Sequence, residues 1–272
     1  MTRQRTDLAA YLACCSILML LLAVSMNLRA EEEKVVRVAA AADVKFAMEE
    51  LSKEFGNKTG TKVDVTTGSS GTFFAQIQGG APFDLFFSAD MDYPKKLEAS
   101  GSAEPGTLFE YALGQMVIWT PANSQVSVAR EKWNALLDER IQKIAIANPS
   151  LAPYGRAAVS ALQKAGIYEQ VKAKLVYGDN ISQAVQFVQS GNAQAGIIAH
   201  SLAVSPGMKD GEIWEIPADM HPPIEQGAVV LKSGKNKAAA LEFLNFVKSA
   251  AGRAILEKCG FAVPAGKQKQ AV

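Results

Sequence analysis

Cysteine is scarce. Only three occur in 272 residues, and two of them, Cys14 and Cys15, lie in an apolar stretch at the N-terminus. Cys259 is then alone in the rest of the chain, so no internal disulfide is expected, and a core this size needs none. Histidine is scarcer still. His200 and His221 are the only pair, in no metal-ligand spacing. The chain has no Cys-x-x-Cys, no His-Glu-x-x-His and no Walker-type phosphate loop. An excess of one charge is also missing: 28 basic residues face 27 acidic ones. That balance argues against nucleic acid, which selects a strongly basic face. Past the N-terminal stretch no apolar run approaches membrane-spanning length, and no fixed-period repeat or low-complexity segment occurs. What is plentiful is apolar material, 49% of residues, which excludes a disordered tail or a simple polycation. The chain is long enough for one large or two modest domains.

The N-terminal stretch has its own meaning. Arg3 and Arg5 lead into an apolar segment over 11–24, then Leu28-Arg29-Ala30 precedes Glu31-Glu32-Glu33. The apolar run falls short of the ~20 residues a spanning helix needs. Residues 1–30 therefore read as a secretory signal cleaved near Ala30. A lipid attachment at Cys14 does not fit, because Tyr11-Leu12-Ala13-Cys14 precedes most of the apolar segment.

After the leader one unit recurs: a short apolar strand, a few small or polar residues, then a helix. A strand over 35–41 meets Asp43 and a helix with Val44, Ala47, Met48, Leu51 and Phe55 on one face. A strand over 63–66 meets Gly68-Ser69-Ser70-Gly71 and a helix over 72–78, and a strand over 85–88 meets a helix over 91–99. The unit returns with strand 143–147 and helix 154–164, closed by Gly166. It returns again with strand 175–177, Gly178-Asp179-Asn180, and a helix carrying Ile181, Ala184, Val185 and Val188. The alternation predicts an α/β fold with open, mostly parallel sheets flanked by helices. Two apolar segments, 115–120 and 227–231, break the alternation and are expected to cross between two lobes. The expected division is 31–115 plus 231–272 for the first lobe and 116–230 for the second, with a cleft and hinge between them.

In open α/β sheets ligands gather where strands end and helices begin. Helix starts carry unpaired N–H groups and the positive end of the helix dipole, a setting for anions. Four such starts stand out: Asp43, Ser69-Ser70, Pro153-Tyr154-Gly155 and Asn180-Ile181-Ser182. Each one alone is equally an ordinary N-cap. Together, two before the first crossing and two after it, they offer neutral donors to a tetrahedral dianion without an Arg or Lys. Catalytic readings fare worse. Gly68-Ser69-Ser70-Gly71 is not a Gly-x-Ser-x-Gly elbow. Asp84, Asp90 and Asp92 form a modest acidic cluster that a solvated loop explains just as well. Arg156 could reach an anion from its helix start but reads better as solvent-facing, and Cys259 reads as a small buried hydrophobe.

The residues resemble the periplasmic molybdate-binding components of ABC importers, of the type 2 periplasmic-binding-protein fold. The similar stretches are AAAADVKFAMEEL from Ala39, GSSGTFFAQIQGGAPFDLFFSAD from Gly68, NPSLAPYGRAAVSAL from Asn148 and GDNISQAVQFVQSGNAQAGII from Gly178. The ending FLNFVKSAAGRAILEKCGF adds to them. The resemblance implies oxyanion contacts from the Ser70 hydroxyl and from backbone donors at Tyr154 and Ile181. No residue would ligate the metal directly, and no cofactor is implied. Two positions depart from the family. Asp43 stands where the first loop often has a ligating Ser, and a carboxylate repels a nearby anion by ~1 kcal/mol per unit charge at 4 Å in water. Asp43 either turns away to cap its own helix, offering only its N–H, or is protonated when ligand binds; the first is expected. Ala199 stands where some members have a ligating Tyr, for which the Tyr154 hydroxyl is a candidate substitute.

The resulting expectation is a monomeric, periplasmic, non-enzymatic receptor that takes molybdate or tungstate and hands it to a membrane ABC permease. Alternatives are a receptor for another oxyanion such as sulfate or phosphate, or an exported hydrolase using Ser70 with His200 or His221 as base.

Overall fold

The computed structural model describes residues 35–208 and 210–264; the expected leader lies outside them. In chain order, β1 (Val35–Ala41) runs through a 3-10 turn (Ala42–Val44) into α1 (Lys45–Thr59). Then come β2 (Lys62–Gly68), α2 (Ser70–Gln78), β3 (Leu85–Ser88), α3 (Asp92–Ala99) and β4 (Phe109–Gly114). The middle of the chain holds β5 (Met116–Thr120), α4 (Val128–Glu131), β6 (Ile144–Ala147), α5 (Pro153–Lys164) and α6 (Tyr168–Val171). It continues through β7 (Leu175–Gly178), α7 (Ile181–Gln189), β8 (Ala195–Ala199), α8 (His200–Ala203) and β9 (Glu212–Glu215). The chain closes with β10 (Ile224–Val230), α9 (Lys237–Lys248) and α10 (Ala250–Lys258).

The strands form two five-stranded sheets, β2-β1-β3-β10-β4 and β7-β6-β8-β5-β9. Each has two parallel pairings on one side and two antiparallel ones on the other, because a single strand is reversed: β10 in the first, β5 in the second. Those two lie in the segments expected to cross between lobes, but each sits wholly within one sheet. The chain instead passes over at Gln115, between β4 and β5, and returns between β9 and β10. Residues 224–230, expected in the second lobe, pair with β3 and β4 of the first sheet. The reason is burial: Ala228-Val229-Val230 is covered on both faces, so its backbone N–H and C=O groups are shut off from water and pair with a strand on each edge. The return passage holds Pro217, Pro222 and Pro223, which cannot donate to a ladder.

Local chemistry sets the element ends. The predicted α1 stripe is buried as expected, and Gly60 at φ 71° stops the helix in the left-handed region. The second helix starts at Ser70, ahead of the predicted 72, because the Ser69 side chain accepts the Thr72 amide as N-cap. Pro153 opens α5 at a position where its missing N–H costs nothing. Gly155 follows because a Cβ there would lie 2.2 Å from the Ala147 carbonyl oxygen. Both faces of the first sheet are covered. Val36, Val38 and Ala40 pack with Met48, Phe55 and Phe243, while Ala39 and Val229 pack with Phe73, Ile77 and Leu97 on the other side. The core of the second sheet extends to Ala41, Ala42 and Ala89 of the first, so the two lobes share apolar contact.

Candidate functional site

The loops that leave the strand ends of the two sheets face one another and are stitched together. The Gly71 amide, in the first turn of α2, donates to the Leu151 carbonyl just before α5, at 2.9 Å. The Ser182 hydroxyl, in the first turn of α7, donates to the Ala42 carbonyl at 3.2 Å, and the Ser201 hydroxyl of α8 donates to the Asp43 carbonyl at 2.8 Å. All four expected residues are enclosed there: Asp43 and Ser70 are 1% exposed, Tyr154 2% and Ile181 3%.

The two adjacent serines separate in role. Ser69 is consumed by capping, accepting from the Thr72 amide and donating to the Thr72 hydroxyl at 2.7 Å. Ser70 accepts the Ala89 amide at 2.9 Å, which leaves its hydroxyl proton for another acceptor. Asn180 likewise caps α7, through the Gln183 amide, so Ile181 follows as the first helical residue with its N–H outside the intrahelical ladder. Tyr154 holds the equivalent early place in α5.

Asp43 is not where the sequence put it. Its side chain caps no helix. Its Oδ2 accepts Gln226 Nε2 at 2.5 Å, the Tyr154 hydroxyl stands beside the carboxyl and shares the same Gln226 amide, and Oδ1 has no hydrogen-bond partner. The reason is a better partner set: two neutral donors from β10 and α5 converge on a carboxylate the fold has already buried. Burial pushes the Asp43 pKa up to about 6, against the smaller opposing pull of Gln226, Tyr154 and the amides of Asp43 and Val44. Gln226 is itself held. Tyr111 donates to its Oε1 at 2.6 Å and also contacts the Ser88 carbonyl at 3.3 Å. Gln226 Nε2 in turn reaches the Tyr154 hydroxyl at 3.1 Å. Burial, and then the Asp43 charge, drive both phenols well above the usual tyrosine range. The Tyr154 hydroxyl is thus directed at Asp43 and Gln226.

Sequence reasoning missed Gln226 and Tyr111. A signal existed for the first: Gln226 is a lone amide next to the apolar run Gly227–Leu231, and it is fully buried. Other expectations change as well. Asp84, expected in a solvated loop, is buried and accepts the Arg37 and Asn236 amides at 2.8 and 2.9 Å. Asp90 accepts the Tyr93 amide and the Ser88 hydroxyl, and pairs with Arg156 of the other lobe at 2.6 Å. Arg156 is 42% exposed, so it serves as a rim contact between lobes. His200 Nδ1 faces the Gly260 carbonyl and His221 Nδ1 faces the Pro222 carbonyl, while Ser70 is paired to an amide. Cys259 is half-buried, and that burial raises its thiol pKa.

The profile of the bacterial extracellular solute-binding proteins matches residues 36–262. The chain belongs to that family. Within it, the chain is 41% identical to the molybdate-binding protein ModA of Rhodobacter capsulatus over 226 residues, 83% of this chain and 87% of that protein. It is 38% identical to the protein of the same name from Azotobacter vinelandii, over 83% of this chain and 89% of that one. The solved periplasmic molybdate-binding protein of Azotobacter vinelandii superimposes with a TM-score of 0.79 at 35% identity, covering 84% of this chain and 99% of that one. The family is one of solute-binding proteins, whose role is transport rather than catalysis.

Proposed function

We propose that this protein is the exported receptor of an oxyanion importer and that its solute is molybdate or tungstate. One observation carries the reading: early residues of three helices and the carboxylate loop before a fourth, drawn from both sheets, are buried together. They bring hydroxyl and amide donors and no cationic side chain. Neutral donors fixed in place by helix starts stabilise a dianion through dipoles. The names of the relatives supply the anion. In this reading Ser70 gives a hydroxyl, Tyr154 and Ile181 give amides, and the loop of Asp43 completes the ring. Lobe one ends near Gln115 and lobe two begins at β5, with the passages at Gln115 and before β10 serving as hinge. The leader over 1–30 directs the chain to the periplasm, where a monomer delivers its guest to an ABC permease.

A second reading has one observation in its favour. The unpartnered Oδ1 of Asp43 accepts a hydrogen bond from an oxyanion that carries its own proton, such as hydrogen phosphate. One panel separates the two. Thermal shifts of the mature protein with molybdate, tungstate, sulfate, phosphate and acetate are expected to rise with the first two only. A rise with phosphate alone selects the second reading, and no rise with any anion overturns both.

A further inference from the structure

We infer that this receptor captures its oxyanion together with a proton, with Asp43 Oδ1 as the proton's seat. The inference rests on the oxyanion reading above and adds to it a coupled ion that the family's hydroxyl-bearing loop does not require.

The geometry assigns the proton to one oxygen. Tyr111 donates to Gln226 Oε1, so the Gln226 amide must present its NH₂ to Asp43 and Tyr154. Oδ2 is therefore held as an acceptor, and a proton on it would clash with a donor. Oδ1 is buried and unpartnered, on the loop between β1 and α1 that faces the other lobe. An unpaired buried oxygen is costly to leave so, and the cost is relieved when it gains a proton and a partner that accepts it. A tetrahedral dianion is that partner. Facing an ionised Asp43 among buried groups, the same dianion is repelled. One proton moves from solvent to Oδ1 as the guest enters and returns to solvent on release. No bond of the guest changes.

The surroundings leave Asp43 as the group that titrates. From β4 it faces Tyr111 and from α5 Tyr154, both held protonated by burial. From β10 it faces Gln226, which does not titrate. From α7 and α8 the nearest groups are the Ser182 and Ser201 hydroxyls, while His200 turns to the Gly260 carbonyl and Glu215. On its own helix, Lys45 is exposed beside the Phe46 ring. Asp90, felt by Tyr111, is paired with Arg156. Burial has already moved the Asp43 carboxyl toward neutrality, in the direction the coupling needs.

The test is calorimetry of the mature protein with sodium molybdate and sodium tungstate, in two buffers of different ionisation enthalpy, from about pH 6 to about pH 8.5. Both anions stay fully ionised at high dilution there. The expected result is uptake of close to one proton per anion at the alkaline end, with affinity falling about tenfold per pH unit. Asp43→Asn keeps a donor and cannot ionise, so it is expected to bind with pH-independent affinity and no proton uptake. Tyr154→Phe removes a hydroxyl that favours the charged form and is expected to move the fall in affinity to higher pH. Tight wild-type binding with flat affinity and no proton uptake overturns the inference and leaves the oxyanion reading standing. Failure of wild type to bind either anion at any pH overturns both. The wild-type proton count decides the matter even if a variant does not fold.

Discussion

At the scale of single residues, Asp43 is the group that ties stability to pH below neutrality. A carboxyl whose folded pKa is about 6, against 3.8 for its free form, binds its proton more tightly folded than unfolded. Stability is therefore full at low pH, falls as pH rises between those two values, and stays lowered above about 6. The loss amounts to about 3 kcal/mol, from the linkage of a buried group. Asp90 shifts in the same direction through burial and adds to the trend. Unfolding in urea without anion is expected to give a lower stability at about pH 7.5 than at about pH 5 for wild type. Asp43→Asn should narrow that gap by roughly 1 to 1.5 kcal/mol, the part of the linkage that falls between those two pH values, since the amide has no charge to desolvate. Equal gaps in the two proteins would mean that Asp43 is not the buried ionising group.

At the scale of elements, the proposed site is built from helix starts, and glycine controls how near they come. Gly71 lies in the first turn of α2, and its amide is satisfied by the Leu151 carbonyl of the opposite lobe. A Cβ on Gly71 would stand 2.6 Å from that same oxygen and 2.8 Å from the Tyr93 hydroxyl. Neither sheet's core is touched by the change, so the strain falls on lobe apposition. Overpacking of this kind costs about 1 to 3 kcal/mol, and Gly71→Ala is expected to weaken anion binding by roughly 10- to 100-fold. Melting without anion should change little, and calorimetry beside a thermal melt distinguishes a closure defect from a folding defect.

Over the whole molecule, the lobes are held together by many small contacts and, among the described residues, one charged pair. The lobes share the apolar patch of Ala41, Ala42 and Ala89, three hydrogen bonds between facing loops, and the Arg156–Asp90 bridge. The bridge is partly exposed, so water and salt screen it, and pairs of this kind contribute about 0.2 to 1 kcal/mol. Arg156→Ala is expected to cost no more than about fivefold in anion affinity, mostly as faster release, with the difference shrinking in high salt. Stopped-flow release at two salt concentrations checks this. A far larger loss would mean that Arg156 touches the guest, against the reading of a cation-free site.

The sequence by itself determined the recurring strand–helix units and the loops where their helices begin, because these follow from local signals. The strands over 109–114 and 212–215 and the short helices carry weaker local patterns and were not legible. Apolar stripes fixed α1, Ser69 and Asn180 fixed two caps, and Pro153 with Gly155 fixed the start of α5. It also contained the lobe count, through two apolar segments that break the unit. Tertiary structure alone decided which sheet each of those segments joins, since a strand apolar on both faces finds its neighbours only when the other strands are in place. It likewise decided the orientation of Asp43. Capping is a choice among partners within a few residues, whereas Gln226 and Tyr154 lie 183 and 111 positions away, and only a folded chain brings them to a carboxylate.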